Sequence, residues 1–217
     1  MPRVLLATNA AHDSPTEYLD VWSDKIMTLA QQYPDVETFD LKGDKANKEE
    51  SEKMIAEKKP QLVIMHGHGN DDTVTGYKFE VLVKYDVNHS VLKDKIVHAL
   101  SCRSGKKLAP ECIAIGTTAY IGYKEDFQLV TLAKTTNEER ANDVVAGFFL
   151  NPAFEIVSAL IKGKTVDEAF KASQAIYKNN LLSLITSADP QLKSSVASCL
   201  YHNLQHQMYL GNGAATF

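Results

Sequence analysis

Three short apolar runs constrain the fold most: RVLLAT at 3–8, QLVIM at 61–65 and KIVHAL at 95–100. Each is too short for a buried helix and lacks the polar alternation of a half-exposed strand. Each therefore reads as a strand covered on both faces. Between the first two, Tyr18, Leu19, Trp22, Ile26, Leu29 and Ala30 recur at helical spacing across 16–33 until Pro34 stops the run. Residues 36–41 alternate like a strand, Lys42-Gly43-Asp44 punctuates them, and 47–59 form a charged helix offering Met54 and Ile55 to a core. Strand–helix–strand–helix–strand predicts a parallel sheet with helices on both faces.

Further along, 81–83 suit a short strand or hairpin arm, 108–115 a short helix and 119–123 another strand. From 137 the pattern turns helical, over 137–162, 165–186 and 190–209, with Thr165 and Glu168 spaced as a capping box. Neither a repeat nor a linker interrupts the chain. The expectation is one α/β domain over 1–217 whose mainly helical last third, about 137–210, packs onto the same sheet.

A chain of 217 residues with formal net charge −4 can bury a sizeable core and shows no basic cluster, which argues against nucleic acid or membrane as a partner. The N-terminal apolar run is too short for a signal-peptide core. Three cysteines, Cys102, Cys112 and Cys199, form no disulfide framework and point to a reducing, cytoplasmic setting.

Reactive groups in open parallel sheets collect just past the carboxyl ends of strands. Two exits fit. LVIM runs into His66-Gly67-His68-Gly69-Asn70, and IVHALS runs into Cys102-Arg103-Ser104-Gly105. The 34-residue separation of His68 and Cys102 leaves room for a crossover between neighbouring parallel strands, which would bring imidazole and thiol to one sheet edge. Such a pair suffices for acyl transfer: the thiolate attacks a carbonyl and the imidazole manages protons. The bland alternative is a buried cysteine and an ordinary turn.

These two segments together resemble the paired signatures of the caspase-like (clan CD) cysteine peptidases. The Gly67-His68-Gly69 and Cys102-Arg103-Ser104-Gly105 forms are most similar to separase, gingipain-type and CHAT-domain members. Residues 115–126, 160–175 and 208–214 resemble CHAT stretches, although the closing Asp-Pro is absent. The resemblance covers about 60–213 and implies a three-layer α/β sandwich and cysteine endopeptidase activity on protein or peptide substrates, without a metal or cofactor. It implies Cys102 as nucleophile, His68 as catalytic imidazole and the N–H groups of Gly69 and Cys102 as oxyanion hole. His66 then becomes a neighbour packed at the strand end. His98 reads as a hydrogen-bonded core residue, and Cys112 and Cys199 as core thiols. Glu125 and Asp126 fall where related enzymes carry a pocket acid, so cleavage after Arg or Lys is expected, Asp126 being favoured over Glu125. Arg103 is expected to point away from that pocket.

Three rivals stand beside this reading. One is a catalytically silent caspase-like module that binds partners or scaffolds an assembly, or a form activated by cleavage, an activating partner protein or a ligand. A metal hydrolase could use His66-x-His68, but the H-x-H-x-D-H zinc signature wants Asp and His where the chain has Asn70 and Asp71. Nucleotide binding is weakest, since no phosphate-binding glycine loop follows the first strand.

Overall fold

The computed structural model describes the backbone of residues 2–186 and 190–217, and the side chains of 2–184 and 195–217. Five strands run parallel: β1 (Arg3–Asn9), β2 (Val36–Lys42), β3 (Leu62–His66), β6 (Ile96–Leu100) and β7 (Ala119–Tyr123). An antiparallel edge strand, β8 (Gln207–Gly211), completes a six-stranded sheet of order β2-β1-β3-β6-β7-β8. Chain order reverses beside β1, because β2 lies to one side of it and β3, β6 and β7 to the other. That reversal opens a crevice past the carboxyl ends of β1 and β3.

Both faces of the sheet are covered, which is why its central strands are apolar throughout. On one face Leu5, Leu62, Ile64, Ile96, Leu100 and Ile121 pack against α1 (Ser14–Ala30) and α5 (Val144–Ile161). On the other, Val63, Met65, Val97 and Ala99 meet Leu108, Ala109 and Cys112 of α3 (Leu108–Ala114), while Leu6 meets Ile55 of α2 (Lys48–Lys58). Each fully buried aliphatic side chain contributes about 1.5–3 kcal/mol. The expected α/β sandwich is the observed architecture. By length and mean hydropathy (1.8), α5 could cross a membrane, but 72% of it is buried inside the protein, as a core helix.

Elsewhere the structure corrects the sequence reading. The stretch 137–162 is two helices, α4 (Asn137–Ala141) and α5, because Asp143 accepts from the Val145 and Ala146 N–H groups and starts a new helix. The helix read over 190–209 ends early. α7 spans Pro190–His206 and gives way to β8, where alternation wins: Met208 and Leu210 face the α3 side while Tyr209 packs on Phe170 of α6 (Val166–Thr186). Residues 81–83 do become a hairpin arm, β5 (Val81–Lys84), paired with β4 (Thr73–Thr75). The Thr165–Glu168 capping box forms, with the Thr165 N–H donating to the Glu168 carboxylate at 2.9 Å.

Candidate active site

β3 and β6 are adjacent and parallel, with His66 in register with Leu100. His68 and Cys102 therefore each lie two residues beyond a registered pair, at the same end of the sheet. The β4–β5 hairpin crosses this exit closely: Thr75 N–H donates to the His68 carbonyl (2.9 Å) and Asn70 N–H to that of Thr73 (3.0 Å). Only glycine fits beneath it. A Cβ on Gly67 would collide with the Thr75 carbonyl. A Cβ on Gly69 would sit 2.8 Å from the Thr73 carbonyl and 3.0 Å from that of Cys102. The Gly-His-Gly spacing thus presses the His68 backbone against the cysteine turn.

The His68 side chain is about one-third exposed, and its Nε2 lies 2.6 Å from Oδ2 of Asp13. Sequence reasoning missed Asp13. It is the N-cap of α1, accepting from the Thr16 N–H (3.1 Å) and the Thr16 hydroxyl (2.6 Å). Burial alone would raise its carboxyl pKa, but the bonds from Thr16 and His68 outweigh that and hold it below the usual carboxylate range. The signal was present: the strand-exit rule applied to β3 and β6 also points past β1, where Asp13 and Thr16 have N-cap spacing.

Cys102 is half-buried, on the turn leaving β6, and Arg103 after it has φ 56°, a left-handed conformation that turns the chain sharply beside the thiol. Burial pushes the thiol pKa up. The Phe127 N–H opposes the shift, the Asp126 charge adds to it, and Arg103 offsets part of Asp126. The resting group is consequently a thiol that needs a base.

His68 and Cys102 line one cavity of about 280 Å³. Pro15, Thr16 and Leu19 from the β1 side and Phe127, Gln128 and Leu129 from the segment after β7 form opposing walls, with Leu100 and Ser101 between them. The lining holds no carboxylate, lysine or arginine. Glu125 and Asp126 do not border it: Glu125 lies 3.0 Å from Lys106, and Asp126 lies 3.3 Å from Arg103, which also reaches Asp71. Arg103 also lies outside the cavity lining, but it turns toward Asp126, the expected pocket acid, and not away from it as the sequence suggested, because the two opposite charges attract at the surface.

The remaining candidates sit apart. His66 is 1% exposed, its Nδ1 2.7 Å from Asn9 Oδ1 and its ring packed on Phe154, so it does not converge with His68 as an H-x-H chelate would. His98 is fully buried, but among the described residues neither ring nitrogen has a hydrogen-bond partner, which corrects the expectation of a hydrogen-bonded core histidine. The His66 ring lies 6.2 Å away without bonding to it, and burial pushes the His98 pKa down to about 4. Cys112 is buried, its thiol pKa pushed up to about 12, mainly by burial. Cys199 is partly buried against the α5–α6–α7 cluster.

No protein-family model matches the chain, and no curated protein does. Solved structures do. The chain is similar to the Arg-specific cysteine proteinase gingipain R (RgpB), with TM-score 0.64 and 11% identity, covering 99% of this chain and 47% of that one. It is also similar to the complex of Porphyromonas gingivalis RgpB pro- and mature domains, with TM-score 0.58 and 11% identity, covering 98% and 47%. The chain thus spans about half the length of the structures it matches. At this identity the likeness shows the fold alone, an α/β sandwich of the gingipain and caspase type.

Proposed function

We propose that the protein is a cysteine peptidase working through Cys102 and His68, with Asp13 orienting the imidazole. One observation carries the reading. A thiol and a carboxylate-bound imidazole, delivered by adjacent parallel strands, open onto the same cavity. With Nε2 held by Asp13, Nδ1 of His68 is the nitrogen left to take the Cys102 proton. The thiolate adds to the substrate carbonyl, and the imidazolium returns the proton to the leaving amine. Water then hydrolyses the thioester, with His68 as base. Among the described residues the N–H groups of Gly69 and Cys102 have no acceptor, and their backbones abut, an arrangement that supports both as oxyanion donors. Clan CD relatives of the separase and CHAT types share the glycine-flanked histidine that supports this assignment.

The cavity beside the thiol is sized for one side chain, and its lining favours an apolar residue before the scissile bond. A second preference, for Arg or Lys, is supported by Asp126, whose charge already reaches the thiol. Asp126 would have to exchange Arg103 for the substrate cation. Peptide-library cleavage by the wild type and by Cys102→Ala tests both readings. Cleavage that disappears in the variant supports the dyad, and the residue preceding the cut decides between the pockets. Turnover that persists in Cys102→Ala removes the proposal. The solved complex of gingipain pro- and mature domains supports one addition, that a covering segment or partner protein controls access to this cavity.

A further inference from the structure

We infer that a zinc-type divalent ion binds between His12, Asp13 and His68 and switches the catalytic centre off. The ligand atoms of these three residues lie within 4.8 Å of one another. His68 Nε2 is 2.6 Å and His12 Nε2 3.8 Å from the same Asp13 oxygen, Oδ2. His12 is the telling member. Its side chain is 7% exposed, and both ring nitrogens are buried without a hydrogen-bond partner. Its ring stands edge-on to Phe79 at 4.9 Å, and to Tyr77 and His68 at 5.8 Å each, so packing fixes it beside the carboxylate. An unsatisfied buried polar group is a standing cost. A metal ion would satisfy it.

The donor set is two neutral imidazoles and one carboxylate, which suits zinc and not the all-oxygen preference of calcium or magnesium. Tetrahedral coordination at the usual zinc–ligand lengths places neighbouring ligand atoms about 3.3 Å apart. The His68–Asp13 gap therefore opens slightly and the His12–Asp13 gap closes slightly. On binding, any proton between His68 Nε2 and Asp13 leaves to solvent and the ion takes its place. Asp13 no longer accepts from the imidazole, and the ring no longer forms the imidazolium that must protonate the leaving amine. The fourth position stays with water. Binding stands on the three side chains alone; the switching-off rests on the peptidase reading above.

The test separates these two halves. Metal-stripped wild type, His12→Phe and Cys102→Ser are titrated with zinc against a chromophoric chelator, and peptide turnover is followed in parallel for the first two. His12→Phe preserves the aromatic packing and removes the ligand; His12→Leu serves if the first variant melts early. Wild type and Cys102→Ser should bind one equivalent, and the His12 variants should bind at least about tenfold more weakly. Zinc should silence wild-type turnover, a chelator should restore it, and the metal-free His12 variant should keep the wild-type rate while resisting zinc. Equal zinc affinity in wild type and both His12 variants, or binding lost in Cys102→Ser but kept in His12→Phe, overturns the site. Zinc that binds yet raises turnover overturns the switch. An inactive metal-free wild type that still binds zinc through His12 fails the peptidase reading and leaves the site standing.

Discussion

Two pairs of imidazoles lie near the exit of β3, and they differ in almost everything but chemistry. His66 and His98, with ring centres 6.2 Å apart, are sealed between the sheet and α5. His12 and His68, 5.8 Å apart, belong to the loops above it, with a carboxylate between them and one ring partly in solvent. Desolvation holds the inner pair neutral, lowering the pKa of His66 well below its usual value and that of His98 to about 4. The outer pair has a carboxylate partner, and one of its members, His68, lines the cavity. Two positions along one chain, His66 against His68, thus separate a histidine packed in the core from one that lines the cavity.

Removing the outer reagent should have the largest effect. His68→Ala is expected to lower kcat/KM by about 10⁴-fold or more, as loss of a catalytic group working in a unit does, with little change in melting temperature. Near-normal turnover of that variant would erase the distinction between the pairs.

The inner pair should respond to pH. The His98 pKa is depressed in the fold, so between about pH 6.5 and pH 4 the unfolded chain binds a proton that the native chain refuses. Native stability contributed by the neutral ring is complete above that window and declines as pH falls through it, by about 3 kcal/mol in all. His98→Leu should flatten a urea-midpoint profile over this range. An unchanged slope would mean that the ring is not neutral and buried.

Asp13 ties the outer pair to the fold, and its two roles can be pulled apart. Asp13→Asn keeps a capable N-cap and should cost about 10–100-fold in turnover with little loss of stability, whereas Asp13→Ala should also lose about 1 kcal/mol of helix capping. Equal turnover in wild type and Asp13→Asn would show that His68 needs no carboxylate.

The smallest effect belongs to Asp126. Its pair with Arg103 is exposed, so Asp126→Asn should change stability by less than about 1 kcal/mol. Removing its charge should nevertheless lower the Cys102 pKa, shifting the pH profile of alkylation by a small uncharged reagent toward acid. A profile that stays in place would detach Asp126 from the thiol.

Much of the frame was legible because burial on both faces writes itself as unbroken apolar runs. Leu62–His66 and Ile96–Leu100 could hardly be anything but central strands, and the polar residues beyond them mark the edge where the cavity opens. Asp13 was less legible. A capping aspartate looks the same whether it meets solvent or an imidazole 55 positions away. β8 was misread because GlnMetTyrLeuGly follows a long helix without a breaker, and its alternation acquires meaning only against β7. Nor can a sequence show that His98 lacks partners. That absence depends on neighbours from other strands and from α5.

Asn203 has a consequence reaching from the far end of the chain. Fully buried on α7, it accepts from the Gln128 N–H (2.9 Å) and donates to the Gln128 carbonyl (2.8 Å), mimicking a strand partner for a cavity wall that has no regular structure of its own. Amides of β3 and β6 are locked in the central sheet and exchange with solvent only when most of the protein opens. The Gln128 amide is tied to a single side chain, so its protection reports the docking of α7 and not the integrity of the sheet. Loosening α7 is therefore expected to release the 127–129 wall while the placement of Cys102 and His68 stays set by the β3–β6 ladder beneath them.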